Sequence, residues 1–363
     1  DPMMQCVSHQ RGIGWRNMEL TLAYEQADTI TFSTMISMKR RLPATVLLSA
    51  LLLAGCAEKQ QPSVNLGAEG TLPVDGAQLR YWTVGNGPPV MILHGGPGIG
   101  IGYLLSELDA PGFPPEGLKW VAYDQRGSGR STGAEDPSQI NMDRFVEDLE
   151  AMRVASGQDR IALMGHSFGG LLAMHYAVKY REHLAAMILI DPDPASRALW
   201  SRHEEIVEAR LTESDRMLMA AISSAEGWET DPVQVENYYL AQFQAYFGNR
   251  EPSVRLRLGL AQGVYGNFPA TALVMRESLG DWDIFSELEG IEVPTLILTG
   301  DRSVFPLSAH EMLRSVLPAS ELVVLPGVGH FPHMEDPEAF ATITTAFLAS
   351  VTNGAGSEGA VSN

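Results

Sequence analysis

A serine at a strand-to-helix turn is the residue of this sequence best suited to do chemistry. Ser167 is the centre of the motif Gly165-His-Ser-Phe-Gly169, which follows an apolar run at 161–164 and precedes a segment with helical spacing. The pattern G-x-S-x-G in that context is a nucleophile elbow, a strained turn that presents a serine hydroxyl. Its glycines are needed because neighbouring chain segments pass too close for a Cβ. We therefore predict that Ser167 is a nucleophile.

A serine hydroxyl is a weak nucleophile at neutral pH, so Ser167 needs a base and an acid that orients the base. In chains with such an elbow the acid follows the serine and the histidine comes last. His330 lies in a glycine-rich loop after the last predicted strand, and we predict that it is the base. Asp301, after the preceding strand, is the predicted acid, and Asp191 or Asp193, after the strand before that, are the alternatives.

A second glycine-rich loop is expected to stabilise the oxyanion that forms when the serine attacks a carbonyl group. The loop is His94-Gly-Gly-Pro-Gly98, which follows a short apolar strand. Backbone N–H groups from this loop and from the residue after the nucleophile form such a site. We predict Gly96 and Gly95 from the loop, together with Phe168, and we expect His94 to brace the loop. No residues have metal-ligand spacing and no phosphate loop is present, so no cofactor is expected.

The elements around these motifs alternate between apolar strands and helical segments. This alternation predicts an α/β protein with a mostly parallel, doubly wound sheet. The stretch 192–280 has helical segments without a convincing strand, so we expect a helical cap inserted after the sixth strand. The core would then comprise residues 71–191 and 281–352, and the Gly/Ser-rich end at 353–363 would be a flexible tail.

The overall charge and the cysteines exclude several classes of function. The chain has a formal net charge of −19, which argues against binding nucleic acid because phosphates would be repelled. Both cysteines, Cys6 and Cys56, lie outside the predicted globular part. A disulfide framework and a catalytic thiol are therefore not expected.

The N-terminal part has the features of a targeting segment rather than of a fold. After Met38, the expected start of translation, come basic residues, a short apolar stretch and Leu53-Ala-Gly-Cys56. This order is typical of a secretory signal peptide, and its last four residues resemble a bacterial lipobox, in which the cysteine is lipidated. We expect residues 1–55 to be removed, 56–70 to form a tether, and a lipid on Cys56 to anchor the protein in the bacterial cell envelope, facing the periplasm or the exterior.

Three motifs together resemble the α/β-hydrolase superfamily and, within it, the proline iminopeptidase family of serine aminopeptidases. They are His94-Gly-Gly-Pro-Gly98, Asp124-Gln-Arg-Gly-Ser-Gly-Arg-Ser131 and Gly165-His-Ser-Phe-Gly-Gly170, and the resemblance covers about residues 72–350. It implies an α/β-hydrolase fold, and it implies Ser167, Asp301 and His330 as the catalytic triad. It also implies release of an N-terminal residue, often proline, from peptides.

The sequence departs from that family's pattern at two positions. The family's acid usually stands three residues after a glycine, where this chain has Ser303, while Asp301 directly follows Gly300. Many iminopeptidases have Trp after the nucleophile, where this chain has Phe168.

An aminopeptidase must also bind a free ammonium group, which requires carboxylates in the substrate pocket. From the acidic cap we select Glu204 and Glu236 as predicted substrate-binding residues. The leading hypothesis is therefore a serine aminopeptidase acting on peptides. A carboxylesterase acting on small acyl esters, or a non-catalytic binding protein on a hydrolase scaffold, are the alternatives.

Overall fold

The computed structural model describes residues 68–105, 115–260 and 268–357, with side chains up to residue 352. All of them belong to the compact unit Gln60–Asn363. The described residues form one sheet of eight strands. In chain order, the strands are β1 (Glu69–Val74), β2 (Ala77–Gly85), β3 (Pro89–Leu93), β4 (Lys119–Tyr123), β5 (Ile161–His166), β6 (Leu184–Ile190), β7 (Thr295–Gly300) and β8 (Ser320–Leu325).

The order of the strands across the sheet is β1-β2-β4-β3-β5-β6-β7-β8. The pairs β1–β2 and β2–β4 are antiparallel, and every pair from β4 to β8 is parallel. The predicted mostly parallel, doubly wound sheet is thus confirmed. Because the strands from β3 to β8 run in one direction, their carboxyl ends meet at a single edge of the sheet, where sites form in open α/β proteins.

The sheet is buried on both faces, which is why its central strands are apolar without interruption. Along β3, Met91 and Leu93 contribute to one core cluster, whereas Val90 and Ile92 contribute to the other. This alternation follows from the two-residue period of a strand. A parallel strand covered by helices on both sides needs apolar residues in both registers.

Helices cover the sheet and build the cap. They are α1 (Gly102–Leu105), α2 (Met142–Ala155), α3 (Phe168–Tyr180), α4 (Arg197–Trp200), α5 (Arg202–Arg210), α6 (Glu213–Ser223), α7 (Pro232–Phe243), α8 (Phe268–Leu279), α9 (Phe285–Leu288), α10 (Leu307–Val316), α11 (Pro332–Glu335) and α12 (Pro337–Ser357). Helices α4 to α9 lie between β6 and β7, and α4 to α8 fall within the predicted cap at 192–280. Short 3-10 helices occur at Pro137–Gln139, Arg181–His183, Trp228–Thr230, Gln244–Tyr246 and Glu251–Arg255.

Two boundaries differ from those expected. Strand β1 begins at Glu69 and pairs with β2, so the core starts two residues before its predicted start at residue 71. Helix α12 continues to Ser357 and includes the beginning of the predicted tail. The predicted signal peptide and Cys56 lie outside the described residues. In the described parts of the chain, no helix has the length and hydropathy needed to cross a membrane.

Candidate active site

Ser167 stands at the tip of a strained turn between β5 and α3. Its φ of 55° and ψ of −123° lie outside the regions that side-chain-bearing residues normally adopt. The flanking glycines permit the turn because a Cβ on Gly165 would lie 2.3 Å from the carbonyl oxygen of Gly169. A Cβ on Gly169 would lie 2.2 Å from the carbonyl oxygen of Leu93. The elbow is therefore fixed by close backbone packing, and Ser167 faces the cavity described below.

His330 follows β8 and is held by Asp191, which follows β6. The His330 Nδ1 atom lies 2.5 Å from Asp191 Oδ2, and both side chains are buried. The backbone N–H of His330 donates to the carbonyl oxygen of Tyr246 at 2.8 Å, which fixes the residue from the cap side. With Nδ1 donating to the carboxylate, Nε2 is left as the nitrogen that can accept a proton.

Asp191 is built into its position by several further contacts. Ser303 Oγ donates to Asp191 Oδ2 at 2.8 Å, Thr299 Oγ1 donates to Oδ1, and His310 Nε2 lies 3.4 Å from Oδ1. Burial opposes ionisation, but the hydrogen bonds and charges of His310 and His330 outweigh it and lower the pKa of Asp191. The backbone φ of 38° is strained. Asp191 is therefore an ionised carboxylate in a fixed position.

The prediction that Asp301 orients His330 is wrong. The carboxylate of Asp301 accepts a hydrogen bond from the N–H of Gly327 at 2.7 Å, and its side chain is 47% exposed. It therefore ties together the turns after β7 and β8. The hydroxyl of Ser303, at the position where the resemblance places the family's acid, hydrogen-bonds Asp191 instead. The alternative at Asp191 is the one that the geometry favours.

Two of the three predicted oxyanion donors are available. The N–H of Gly95 donates to Tyr103 Oη at 2.8 Å, so it is already engaged. Gly95 is needed for another reason, because a Cβ there would lie 2.7 Å from the Cβ of Ser167. Within the described residues, the N–H groups of Gly96 and Phe168 meet no protein acceptor, and both residues line the cavity beside Ser167. Phe168 opens α3, so its N–H is one of those that a helix leaves unpaired.

A chain of hydrogen bonds connects the loop after β3 to His330. Tyr103 Oη, which accepts from Gly95, lies 2.6 Å from His166 Nδ1, and His166 Nε2 lies 2.8 Å from the carbonyl oxygen of His330. This network assigns Tyr103 as the donor to Nδ1 and His166 Nε2–H as the donor to the carbonyl. Burial and the neighbouring His330 hold the pKa of His166 well below its usual value. His166 is therefore a neutral connector.

The Asp124-Gln-Arg-Gly-Ser-Gly-Arg-Ser131 motif braces the loop after β3. The N–H of Gln125 donates to His94 Nε2 at 3.0 Å, and the side-chain amide of Gln125 donates to the His94 carbonyl at 2.8 Å. Burial lowers the pKa of His94 to about 4, so its ring remains a neutral acceptor. Ser128 Oγ accepts from the N–H of Gly98 at 2.8 Å. His94 therefore has the bracing position that was expected.

A cavity of about 630 Å³ contains Ser167 and His330 in one space. Much of its wall is aromatic and is supplied by the cap and by the loop after β8, namely Tyr239, Phe243, Tyr246, Phe268 and Phe331. Among the described residues, the charged side chains that line it are Asp193, Glu204, Glu208 and Arg276. Glu208 is paired with Arg216 at 2.8 Å. In the described parts of the chain, no three His, Cys, Asp or Glu side chains are grouped so that they could hold a metal ion.

The two carboxylates selected from the cap have different surroundings. Glu204, on α5, lines the cavity. Glu236, on α7, is not among the described residues that line it. The Glu236 Oε1 atom accepts from the backbone N–H groups of Leu258 and Gly259, each at 3.1 Å, and thereby holds that turn. The structure thus corrects the selection of Glu236 as a substrate-binding residue.

Asp193 is a carboxylate at the nucleophile that the sequence analysis considered only as an alternative acid. Ser167 Oγ donates to Asp193 Oδ1 at 3.0 Å, and the N–H of Asp193 donates to the carbonyl oxygen of Ser167 at 3.0 Å. Burial raises the pKa of Asp193 to about 6, although the charge of His330 and the Ser167 hydroxyl oppose the shift. The Asp-Pro-Asp-Pro run at 191–194 was the available signal, since prolines fix the backbone around both carboxylates.

Comparison with known proteins identifies the family. The model of the alpha/beta hydrolase fold matches residues 88–337. The chain belongs to the α/β-hydrolase family. The proline iminopeptidase of Thermoplasma volcanium is 31% identical to this hydrolase over 264 residues, which cover 71% of this chain and 88% of the relative.

Solved structures are similar in fold. A proline iminopeptidase-related protein from Thermus thermophilus has a TM-score of 0.57 and 28% identity, covering 78% of the hydrolase and 97% of that chain. A proline iminopeptidase from Mycobacterium smegmatis has a TM-score of 0.62 and 24% identity, covering 79% of the hydrolase and 99% of that chain. The hydrolase therefore resembles proline iminopeptidases over nearly the whole length of these chains.

Proposed function

We propose that this hydrolase is a serine aminopeptidase that releases an N-terminal proline or another small residue from peptides. The observation that carries the proposal is the 2.5 Å contact between Asp191 and His330, whose ring lines the same cavity as the elbow serine. Similarity to the Thermoplasma volcanium iminopeptidase supports the substrate class. The proposed triad is Ser167, His330 and Asp191.

The proposed reaction proceeds through an acyl-enzyme. As the Oγ of Ser167 bonds to the scissile carbonyl carbon, Nε2 of His330 takes the hydroxyl proton and Asp191 stabilises the imidazolium. The carbonyl oxygen becomes an oxyanion, and the N–H groups of Gly96 and Phe168 would donate to it. Collapse of this intermediate breaks the C–N bond, and His330 gives the proton to the departing amine. A water molecule then attacks the acyl carbon while His330 takes a proton from it. Collapse of this second intermediate breaks the bond to Ser167 Oγ, which receives the proton from His330.

The cavity has features that suit a peptide with a free N-terminus. Asp193 and Glu204 contribute carboxylates to its lining, and an ammonium group needs such partners when it leaves water. The aromatic wall provides apolar surface that suits a small ring or side chain. Glu204 is proposed as a contributor to this electrostatic environment.

A carboxylesterase is the second candidate, and the aromatic wall of the cavity favours it equally. An ester needs the same triad and oxyanion donors but no ammonium partner. The cavity carboxylates are the feature that the esterase hypothesis leaves without a role.

The decisive experiment compares prolyl and alanyl 4-nitroanilides with short acyl esters, using the wild type and Ser167→Ala. We expect arylamide cleavage by the wild type, none by the variant, and labelling of Ser167 by a fluorophosphonate. Ester cleavage without arylamide cleavage would reject the aminopeptidase. Absence of labelling and of both activities would favour a binding protein.

We also propose that the mature protein is a lipoprotein of the bacterial cell envelope, anchored through Cys56. The support is the basic and apolar stretch that ends in Leu53-Ala-Gly-Cys56. Expression in a bacterium fed labelled palmitate should label the wild type and place it in the membrane fraction. Cys56→Ser should lose the label. Equal labelling of both proteins, or of neither, would contradict the anchor.

A further inference from the structure

Asp193 holds a carboxylate against the nucleophile without being the acid that orients the base. Its Oδ1 atom accepts a hydrogen bond from the Ser167 hydroxyl at 3.0 Å, whereas Asp191 is hydrogen-bonded to the His330 ring. A triad requires one carboxylate, so the second has no role in the proposed proton transfers. Its placement next to Ser167 therefore calls for another explanation.

The segment that carries Asp193 is rigid. Pro192 and Pro194 fix the backbone φ angle on either side of Asp193. Pro192 also packs closely on Gly170, where an added Cβ would lie 2.5 Å from the Pro192 Cβ. The carbonyl oxygen of Pro194 accepts from Trp282 Nε1 at 3.1 Å, and the N–H of Asp193 is bonded to Ser167. Such preorganisation is typical of a group that binds a ligand at a fixed distance from the reacting atom.

Among the described residues, Asp193 has no Lys or Arg beside it to balance its charge. In the described parts of the chain, no Lys or Arg forms an ion pair with Asp193. Arg276, the guanidinium of the cavity, lies over the Trp200 ring at 5.4 Å. The Trp200 side chain also donates a hydrogen bond to the Asp193 carboxylate, and the charges of His330 and Asp191 act on it. A half-buried carboxylate without such a partner is stabilised most by a cationic group that the substrate brings.

The geometry of an amino acid places its ammonium group within reach of Asp193. The α-nitrogen is two bonds from the carbonyl carbon, a separation of about 2.5 Å. A serine oxygen approaches that carbon at about 3–3.5 Å. A carboxylate that already contacts Ser167 Oγ therefore lies in the same small volume as the α-nitrogen of the attacked residue. The ammonium of a residue farther along a peptide would be too distant.

We propose that Asp193 binds the α-ammonium group of the substrate and so restricts the enzyme to acyl groups with a free α-amine. This rests on the proposed function and adds the residue that selects the substrate.

The test compares two substrates that differ in the α-amine alone, alanine benzyl ester and propionate benzyl ester, by chromatography of the benzyl alcohol released at pH 6.5. Asp193→Asn keeps the shape and an acceptor oxygen but removes the charge. It should lower kcat/KM for the alanine ester by about 10- to 100-fold, the usual value of a charged hydrogen bond. For the propionate ester, kcat/KM should change by less than about threefold. The matched control is Glu182→Gln, an exposed carboxylate on the Arg181–His183 turn, which should alter neither.

Equal losses on both esters, or no loss on either, would overturn the proposal. The proposal would also be overturned if Glu204→Gln lost the preference for the alanine ester while Asp193→Asn kept it. The propionate activity of the variant reports whether it is folded. If the variant does not fold, the wild type decides the matter: methylammonium chloride should raise the KM of the alanine ester relative to sodium chloride, but leave that of the propionate ester unchanged. Equal effects on both would count against the site.

These outcomes are separate from failure of the proposed function. If the wild type cleaves both benzyl esters but no alanine 4-nitroanilide, the aminopeptidase proposal fails whatever Asp193→Asn does. If the wild type cleaves the anilide and Asp193→Asn retains full preference for the alanine ester, the role of Asp193 alone fails.

Discussion

At the scale of single residues, two aspartates on one short segment have opposite electrostatic settings. Asp191 receives hydrogen bonds from Thr299, Ser303 and His330, and its pKa is lowered despite burial. Asp193 receives hydrogen bonds from Ser167 and Trp200, yet burial raises its pKa to about 6. Differences of this kind separate the roles of neighbouring carboxylates in active sites. We therefore expect different effects from replacing each aspartate.

Replacing the acid distinguishes Asp191 from Asp301. Asp191→Asn should lower kcat by about 10³- to 10⁴-fold, because the amide no longer holds His330 in the tautomer that accepts the serine proton. Asp301→Asn keeps an oxygen acceptor for Gly327 and should change kcat by less than about threefold. Steady-state kinetics on an alanyl arylamide checks both. A larger loss in the Asp301 variant would restore the original prediction.

Removing the charge of Asp193 should stabilise the protein while it impairs selectivity. An acid whose folded pKa is about 6, against about 3.9 unfolded, holds its proton more tightly in the folded state. The free energy of unfolding therefore falls as pH rises from about 4 to about 6. Asp193→Asn avoids this loss and should be more stable than the wild type by about 1–3 kcal/mol at pH 8. The advantage should vanish towards pH 4. Urea unfolding at both pH values tests this, and a variant less stable at pH 8 would contradict it.

At the scale of elements, the loop after β3 is positioned by contacts rather than by its own conformation. Gly95 has no room for a Cβ beside Ser167 and is hydrogen-bonded to Tyr103, and His94 is fixed by Gln125. The loop therefore approaches the elbow too closely for a side chain on Gly95. This close approach sets where a substrate carbonyl would sit, so small displacements of the loop should reduce the rate.

The substitution Gly95→Ala tests that close approach. Its Cβ would lie 2.7 Å from the Cβ of Ser167 and 3.1 Å from Tyr103 Oη, so the loop or the elbow must move. We expect kcat/KM to fall by about 100-fold, the usual cost of a displacement of about 1 Å at a reacting centre. Gly102→Ala is the matched control, because its Cβ would meet nothing within 4 Å. Similar kinetics for the two variants would argue against the contact.

At the scale of the whole molecule, the site is assembled from the carboxyl ends of strands far apart in sequence. Strands β5 and β6 are neighbours in the sheet, and β8 lies two positions beyond β6. The loops after these strands supply Ser167, Asp191 and His330, and cap residues close the cavity over them. The parallel strand order thus brings the three side chains to one edge.

The limits of the folded unit can be tested by trimming the chain. A protein that begins at residue 68 retains β1 and the described site, and it should keep the activity and melting temperature of the mature chain. A protein that begins at residue 76 loses β1, including Leu72, which is 6% exposed, and leaves β2 as an open edge. Loss of that burial costs about 1.5–3 kcal/mol and should lower the melting temperature by roughly 5 °C or more. Calorimetry should distinguish the two, and equal melting temperatures would show that β1 is dispensable.

Short-range patterns determined much of this protein from the sequence alone. Strand period, the glycines around Ser167 and the helix that follows are all local features, so the elbow and the parallel sheet could be predicted. The position of His330 after the last strand could be predicted for the same reason. Strand β1 was missed because its sequence is short and mixed, and its partner is needed to recognise it.

The tertiary structure alone decided which carboxylate meets the base. Asp191 and His330 are separated by 139 positions, and their contact depends on how the turns after β6 and β7 point their side chains. No local pattern encodes that direction, so strand position predicted Asp301 and left Asp191 and Asp193 only as alternatives. The same holds for Glu236, whose oxygen binds backbone rather than the cavity, and for Asp193, whose contact with Ser167 requires two strand ends to lie side by side. The sequence by itself gives the type and spacing of the side chains. The distances between side chains on remote segments are set by how the strands and loops pack together.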